Sequence, residues 1–328
     1  MWNRFCIVLI SFSIVSLQAQ DYQLGHGLKL ADALNLGAYF STEYEYKEDE
    51  EKAKIDDIAF LMYGQIDERF SYLAELEAAN FYEYDFKDRS SSDNTTFQVE
   101  RLYVDYMESD YLRLRAGKFI TPIGYWNLEP INVLRDTTSN PLYSYTMFPK
   151  FVTGVNLSGY LSMDESVQYN IFAQGTRDLD EEYMNILNDH FFGASLEKEF
   201  SPELTAGLSV GEFVTLTNER YVFLQCNAKY DSYPFKLFGE GVIRSSRDTQ
   251  KHYSEAMYLQ GSYNYSLEHM LVTRFEYFEE EELSQNGESL FLLGYSYRPI
   301  YPVSLKAEYQ WHSLKEQDKF LVSFSVIF

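Results

Sequence analysis

KFLVSFSVIF, residues 319–328, ends the chain and decides its fold. Every second side chain of this segment is apolar; these positions are Phe320, Val322, Phe324, Val326 and Phe328. Lys319, Ser323 and Ser325 fall on the opposite face. Because side chains alternate between the two faces of a β-strand, one face of this strand is uniformly apolar. A soluble edge strand normally carries charge or proline on its exposed face, so the pattern favours a strand that faces lipid.

The same two-faced pattern recurs along the chain in segments of about 10 to 13 residues, separated by turn residues. It predicts about 16 strands. Their ranges are 34–46, 55–67, 70–85, 97–108, 111–121, 151–162, 166–177, 190–200, 204–216, 220–231, 234–245, 255–266, 269–280, 289–299, 302–313 and 319–328. An even number of strands returns the chain to the side on which it started.

The connections between these segments alternate in length. One set is short, at 67–69, 108–110, 163–165, 201–203, 231–233, 266–268 and 299–301. The other set is mostly longer, at 86–96, 123–150, 178–189, 246–254 and 281–288. Short turns at one end and long extracellular loops at the other are typical of bacterial outer-membrane barrels. The sequence therefore predicts an all-β fold, a transmembrane antiparallel β-barrel of about 16 strands.

Composition agrees with a barrel. Aromatic residues make up 17% of the chain, with 29 Tyr and 25 Phe against 8 Pro, and they suit strands and the girdles at membrane interfaces. The sequence has no repeat of fixed period, which a solenoid would show. Beyond the N-terminus no apolar run reaches the roughly 18 residues of a membrane helix, so insertion is expected through strands.

The N-terminus has the order of a secretory signal peptide. Asn3 and Arg4 precede an apolar run over residues 5–15, and polar and small residues follow up to Ala19. We therefore expect residues 1–19 to be a cleaved signal peptide and residues 20–328 to form an exported barrel.

Charge and cysteine content exclude other classes. The chain has 27 Lys and Arg against 50 Asp and Glu, a net charge of −23, so no partner nucleic acid is expected. After cleavage only Cys226 remains, which leaves no intramolecular disulfide. Cys226 shares a strand face with Leu224 and Ala228, so we expect a small lipid-facing residue.

The longest connection, residues 123–150, follows the fifth predicted strand. A loop of this length in a compact protein is usually functional or disordered, and its aromatic content argues against disorder. At its start lies AGKFITPIGYWN, residues 116–127, in which Pro122 ends the strand ladder and Gly124 permits a sharp turn.

Residues 116–127 resemble the Gly-Lys/Arg-Phe-x-Thr-Pro-x-Gly-x-Trp-Asn segment of the phosphate-selective porin O and P family and related outer-membrane porins. The resemblance implies that the loop after strand 5 folds inward and narrows a water-filled channel for small polar or charged solutes or ions. It does not imply phosphate selectivity, because members that select phosphate line the pore with Arg and Lys, whereas this chain is acidic.

Charged residues around this loop predict a constriction. The candidates are Arg101, Arg113, Arg115 and Lys118 on or just beyond strands four and five, and Glu129, Arg135 and Asp136 in the loop. A cationic wall opposite an acidic loop would give a transverse field that orients polar solutes. The alternative is ordinary charge pairing that only rigidifies the barrel. Strict alternation places Lys118 on the lipid face, so we expect it near the interface or a bulge.

The resemblance also implies partners. Porins of this size usually form homotrimers, and the final Phe328 resembles the terminal signal that the barrel-assembly machinery recognises. Acidic runs at residues 48–51, 178–182 and 279–282 either bridge divalent cations to lipopolysaccharide or form a solvated loop surface next to the outer-membrane lipid.

Two other function classes stay open. An outer-membrane hydrolase has little support, because the five His show no metal-ligand spacing and no Gly-x-Ser-x-Gly or His-Glu-x-x-His motif occurs. We predict no enzymatic activity, no metal and no cofactor. A plugged barrel that serves as an adhesin or structural sheath is harder to exclude from sequence.

Overall fold

The barrel wall consists of sixteen long antiparallel strands. The computed structural model describes residues 22–23, 25, 27–144, 146–161, 164–180, 185–247, 253–280 and 285–328, so the predicted signal peptide lies outside the described residues. The wall strands are β1 (Leu34–Lys47), β2 (Glu51–Gln65), β3 (Phe70–Asp85), β4 (Thr96–Ser109), β5 (Leu112–Ile120), β6 (Phe151–Leu161), β7 (Asp164–Gln174), β8 (Asn188–Ser201), β9 (Leu204–Thr215), β10 (Arg220–Ser232), β11 (Phe235–Ser246), β12 (Tyr253–Asn264), β13 (His269–Glu280), β14 (Gln285–Tyr297), β15 (Val303–His312) and β16 (Lys319–Ile327). The transmembrane barrel predicted from the sequence is confirmed.

Each wall strand pairs with the next one along the chain, and the last strand closes the circle against the first. In the closing ladder Val326 of β16 lies opposite Phe40 of β1. The N–H of Phe328 donates a hydrogen bond to the carbonyl of Ala38, 2.7 Å away. Closure leaves no open sheet edge in the wall, which is the condition for a sheet to sit in lipid.

Three short strands and two short 3₁₀ turns complete the described secondary structure. Gly27–Ala31 pairs with the start of β1 and with Tyr22–Gln23, while Ser90–Ser92 pairs with the end of β3. The 3₁₀ turns are Asn132–Leu134 and Lys315–Gln317. No helix among the described residues has the length and apolarity needed to cross a membrane.

Two strands, β2 and β14, begin four residues earlier than predicted, and in β2 charged residues extend the strand beyond its apolar part. β2 begins at Glu51 rather than at 55. At the start of the ladder between β2 and β3, Lys52 lies opposite Asp85 of β3, and the Lys52 ammonium lies 3.2 Å from the Glu83 carboxylate. Cross-strand ion pairs stabilise a sheet that protrudes into water, and an apolar period cannot reveal them.

The two faces of the wall differ as the alternation predicts. On β12, Met257 and Leu259 are 49% and 54% exposed on the outer face, whereas Gln260 between Leu259 and Gly261 is fully buried on the inner face. Cys226 is exposed on the outer face. An apolar exterior and a polar interior follow from the period of two that every strand keeps.

Candidate functional site

The connection between β5 and β6, residues 121–150, is called the long loop here, and a buried glutamate of β11 anchors its first part. The Glu240 carboxylate accepts hydrogen bonds from the backbone N–H of Tyr125 at 3.0 Å and of Trp126 at 2.8 Å. The Tyr258 hydroxyl donates to the same oxygen. Gly124 has a φ of +70°, and its backbone lies so close to Glu240 that a Cβ at this position would lie 2.0 Å from Glu240 Oε2. Local backbone conformation and wall chemistry therefore fix the start of the loop together.

Two further wall glutamates hold the loop in the same manner. Glu308 of β15 accepts hydrogen bonds from the backbone N–H groups of Thr138 at 2.9 Å and Ser139 at 3.0 Å. Glu276 of β13 accepts one from the N–H of Leu142 at 2.6 Å. All three glutamates are buried on the inner face. Carboxylates paired with backbone N–H groups form charge-assisted hydrogen bonds, which are stronger than neutral ones.

Cations of the same wall bind the carbonyls and carboxylates of the loop. The Lys306 ammonium of β15 lies 2.7 Å from the side-chain carbonyl of Asn132. Lys236 of β11 lies 3.1 Å from the Asp136 carboxylate. Every ion pair and main-chain anchor described so far comes from β11–β15. Residues 125–142 of the loop are therefore attached mainly to the β11–β15 side of the barrel interior.

An apolar cluster fills the interior between the loop and the inner faces of β5–β13. The Phe148 ring stacks on Phe223 at a centroid distance of 5.3 Å, and Tyr143 stacks on Tyr258 at 5.7 Å. Other buried members of the cluster are Phe119, Trp126, Met147, Phe172, Phe191, Phe213 and Phe238. Burial of so many aromatic side chains removes this part of the interior from water.

Two polar cavities of similar size lie in the interior that the described residues enclose. The upper cavity, about 280 Å³, lies toward the long-loop ends of β1–β4 and β14–β16. The lower cavity, about 270 Å³, lies toward the short-turn ends of β4–β10. Pro122, Gly124 and Leu128 of the long loop border the lower cavity, while Asn132 and Arg135 border the upper one. The two cavities thus lie on different sides of the loop. Among the described wall strands, β4 is the one whose residues border both cavities.

A bulge in β4 brings two consecutive charged residues to the inner face at this place. The ladder pairs Glu75 of β3 with Arg101 and Leu76 with Val99, which leaves Glu100 as the extra residue. Glu100 consequently borders the upper cavity and Arg101 the lower one. A bulge adds a residue without a partner, so the alternation of faces is interrupted there.

Ion pairs surround this bulge. The Lys150 ammonium, from the end of the long loop, lies 3.0 Å from the Glu100 carboxylate. Arg101 forms an ion pair with Glu75. Asp57 of β2 and Glu77 of β3 border the upper cavity beside them. We call the group of Asp57, Glu75, Glu77, Glu100, Arg101 and Lys150 the divider, because it stands between the two cavities.

The three arginines predicted on the wall strands, Arg101, Arg113 and Arg115, lie together in the lower cavity. Arg115 forms a two-point contact with Asp105, at 2.7 and 2.8 Å. Arg101 is paired in the divider, and Arg113 forms no ion pair with any described residue. The arginine cluster is thus largely compensated by carboxylates of the wall itself.

The three predicted loop residues do not face those arginines. Asp136 binds Lys236 on the other side of the barrel. Arg135 lies over the Trp126 ring, 5.0 Å from its centroid, and donates a hydrogen bond to the carbonyl of Glu129 at 2.6 Å. Glu129 itself has an exposed side chain. The loop charges therefore serve mainly as anchors of the loop and as internal contacts.

Lys118 lies apart from the other predicted residues. Its ladder partner is Leu102, which is exposed on the outer face. The loop after β7 covers Lys118, whose ammonium lies 3.2 Å from the Asp178 carboxylate and 3.0 Å from the carbonyl of Asp180. A buried ammonium on the lipid side needs such compensation. Lys118 is therefore not among the residues that border the two cavities.

Sequence reasoning did not find Asp57, Glu100 and Lys150. Alternation assigns Glu100 and Arg101 to opposite faces, and the bulge that brings both inward has no sequence signal of its own. Two charged residues in succession within an otherwise alternating strand are the one available hint. Among the described residues no group of His, Cys, Asp and Glu is arranged to hold a metal ion.

No protein-family model and no curated protein sequence matches the chain. Solved structures do: the anion-selective porin of Comamonas acidovorans has a TM-score of 0.66 at 10% identity, with 90% of this chain and 99% of that chain covered. OmpT of Vibrio cholerae lacking loop L8, an outer membrane protein, has a TM-score of 0.65 at 11% identity, with 90% and 99% covered. OmpF of Salmonella typhi in complex with daunomycin has a TM-score of 0.64 at 12% identity, with 90% and 97% covered. The chain therefore has the fold of the bacterial outer-membrane porins.

Proposed function

We propose that the chain is an outer-membrane porin that lets small polar or charged solutes diffuse passively across the membrane. The observation that carries this proposal is the pair of polar cavities, which approach each other at the divider from opposite ends of the barrel. A polar interior inside a closed apolar wall is what a diffusion channel requires. The structural similarity to an anion-selective porin and to OmpF agrees with this function.

The long loop is the proposed constriction. The main-chain anchors of residues 125–142 come from β11–β15, so we place the open path along the opposite wall, past β4, where Lys150 at the end of the loop pairs with Glu100. A path narrowed to one side admits small solutes and excludes large ones. The motif at residues 116–127 also leads us to propose a relationship to the phosphate-selective porin O and P family, without its phosphate selectivity.

The remaining proposals concern processing and partners. Residues 1–19 are the proposed signal peptide, and Phe328 is the proposed contact for the barrel-assembly machinery. Homotrimers are proposed from the porin fold, and lipopolysaccharide and outer-membrane lipid are the proposed surroundings of the exposed outer face.

A plugged barrel with a structural or adhesive role is the second candidate. It is favoured by one observation, the apolar cluster that the long loop forms with β5–β13. A core of this kind is typical of a segment that stays in place. In that case the two cavities would be water-filled recesses without a connection.

Conductance separates the two candidates. The purified protein would be inserted into a planar bilayer, and entry of sugars of increasing size into protein-containing vesicles would be followed by swelling. A steady current with a size limit for sugars supports the porin. Folded protein that inserts but carries no current contradicts the porin and supports the plugged barrel. Hydrolysis of lipid or peptide substrates, tested in parallel, would contradict the prediction that the chain is not an enzyme.

A further inference from the structure

The divider contains more carboxylates than cations. Asp57, Glu75, Glu77 and Glu100 contribute four carboxyl groups, against the two cations Arg101 and Lys150. On the β2–β3 ladder Ala59 pairs with Glu77 and Asp57 pairs with Ala79, so Asp57 and Glu77 are diagonal neighbours on the inner face. Glu75 and Glu77 share that face of β3 beside the bulge at Glu100. The excess negative charge is thus concentrated at a single level of the wall.

The cations near the divider already have other partners. Lys150 is bound to Glu100, and Arg101 to Glu75. Lys54, the next cation in the upper cavity, lies 3.3 Å from Glu43 and 3.0 Å from Asp56. Consequently neither Asp57 nor Glu77 has an ion-pair partner among the residues that the structure describes.

The carboxyl groups of Asp57 and Glu77 are hydrogen-bonded to each other and share one proton, so this pair carries one negative charge and the divider a net charge of about −1. Two details show that this remaining charge is not neutralised by other polar groups. The Oε1 atom of Glu75, on a fully buried residue, has no hydrogen-bond partner among the described atoms. Asp57 accepts a hydrogen bond from the Ser41 hydroxyl at 3.2 Å, which is a neutral donor. Negative charge held between low-dielectric walls attracts counter-ions strongly, because little water is present to screen it.

We propose that the divider makes this channel cation-selective, and that Asp57 and Glu77 are the residues that set the preference. The inference rests on the proposed porin function and adds the class of permeant ion to it. A cation that moves from one cavity to the other passes the Asp57–Glu77 pair, whose one negative charge lacks a fixed counter-ion, and it takes the place of that counter-ion. An anion meets the same carboxylates and is repelled.

The reversal potential under a KCl gradient tests the proposal. The wild-type channel is expected to pass K⁺ several-fold more readily than Cl⁻. The double variant Asp57→Asn, Glu77→Gln keeps the size and shape of both side chains and removes the single charge of the pair, so its permeability ratio should fall several-fold toward one. The matched control Asp67→Asn removes one charge from an exposed turn outside the interior and should leave the ratio unchanged.

The effect should also depend on salt. Near 0.1 M KCl the screening length is about 10 Å and near 1 M about 3 Å, so the difference between wild type and the double variant should shrink at high salt. A conducting wild type that prefers Cl⁻, or a folded, conducting double variant with an unchanged ratio, would overturn the inference and leave the porin function standing. Absence of current from folded, inserted wild type would overturn both. If the double variant does not fold, the variant Asp57→Ser, Glu77→Ala removes the same charge with smaller side chains and must show the same fall, and an unchanged ratio again contradicts the inference.

Discussion

Removal of the Glu240 carboxylate should release the start of the long loop from the wall. Glu240→Ala deprives the N–H groups of Tyr125 and Trp126, both bound at 3.0 Å or less, of their acceptor in an apolar environment. Leaving a buried donor without its partner costs about 1–3 kcal/mol. Two such donors give about 2–6 kcal/mol, or roughly 30-fold to more than 10⁴-fold in the equilibrium between the attached and the detached loop.

Hydrogen exchange measures this equilibrium directly. In Glu240→Ala the amides of Tyr125 and Trp126 should exchange at least about 30-fold faster than in the wild type, while amides of the β11 ladder keep their protection. The matched control is Glu45→Gln, since Glu45 is a wall carboxylate bound to Lys47 and Lys319 rather than to the loop. Unchanged exchange at both amides in a folded Glu240→Ala variant would refute the view that wall glutamates hold the loop.

Three further changes test other parts of the structure. Lys150→Met leaves the buried Glu100 without its counter-ion, so the K⁺ to Cl⁻ permeability ratio should rise in a reversal-potential measurement. A fall of this ratio would contradict an ion pathway that passes Glu100 of β4. Gly124→Ala places a Cβ at φ +70° against the Glu240 carboxylate and costs about 1–2 kcal/mol of backbone strain. The loop should loosen and the single-channel conductance should rise. An unchanged conductance and melting temperature would argue against the close approach of Gly124 to Glu240. Asp178→Asn weakens the compensation of Lys118 and should speed exchange of amides in the loop after β7, with ion selectivity unaffected; a shift in selectivity would place Lys118 in the pathway.

The barrel was predictable because its sequence signal is local. The alternation of Phe320, Val322 and Phe324 with polar residues needs only the geometry of one strand. The closing partner β1 then follows from the even number of strands and the need to leave no edge. Strand starts such as Glu51 were missed because charged pairs, rather than an apolar face, hold the strand where it leaves the membrane.

The arrangement of the candidate site was less predictable because it depends on contacts across the barrel. Glu240 and Trp126 are 114 positions apart in the chain, and no period or motif connects them. The inward position of Glu100 depends on a bulge, and a shift of one residue reverses which face a side chain takes. Arg113 and Arg115 were predictable as inward residues, but the pairing of Arg115 with Asp105 was not.

The glutamates of β11, β13 and β15 hold the long loop through its main-chain N–H groups, and this has a consequence for how the protein can change. Every residue type except proline offers the same N–H, so Tyr125, Thr138 and Leu142 can be exchanged without loss of these attachments. The anchors are therefore indifferent to loop sequence at those sites. Side chains that project into the open path can therefore be substituted, in evolution or by design, while the loop backbone stays bound to the wall. A proline at any of the three sites removes the N–H group and with it the hydrogen bond to the wall glutamate.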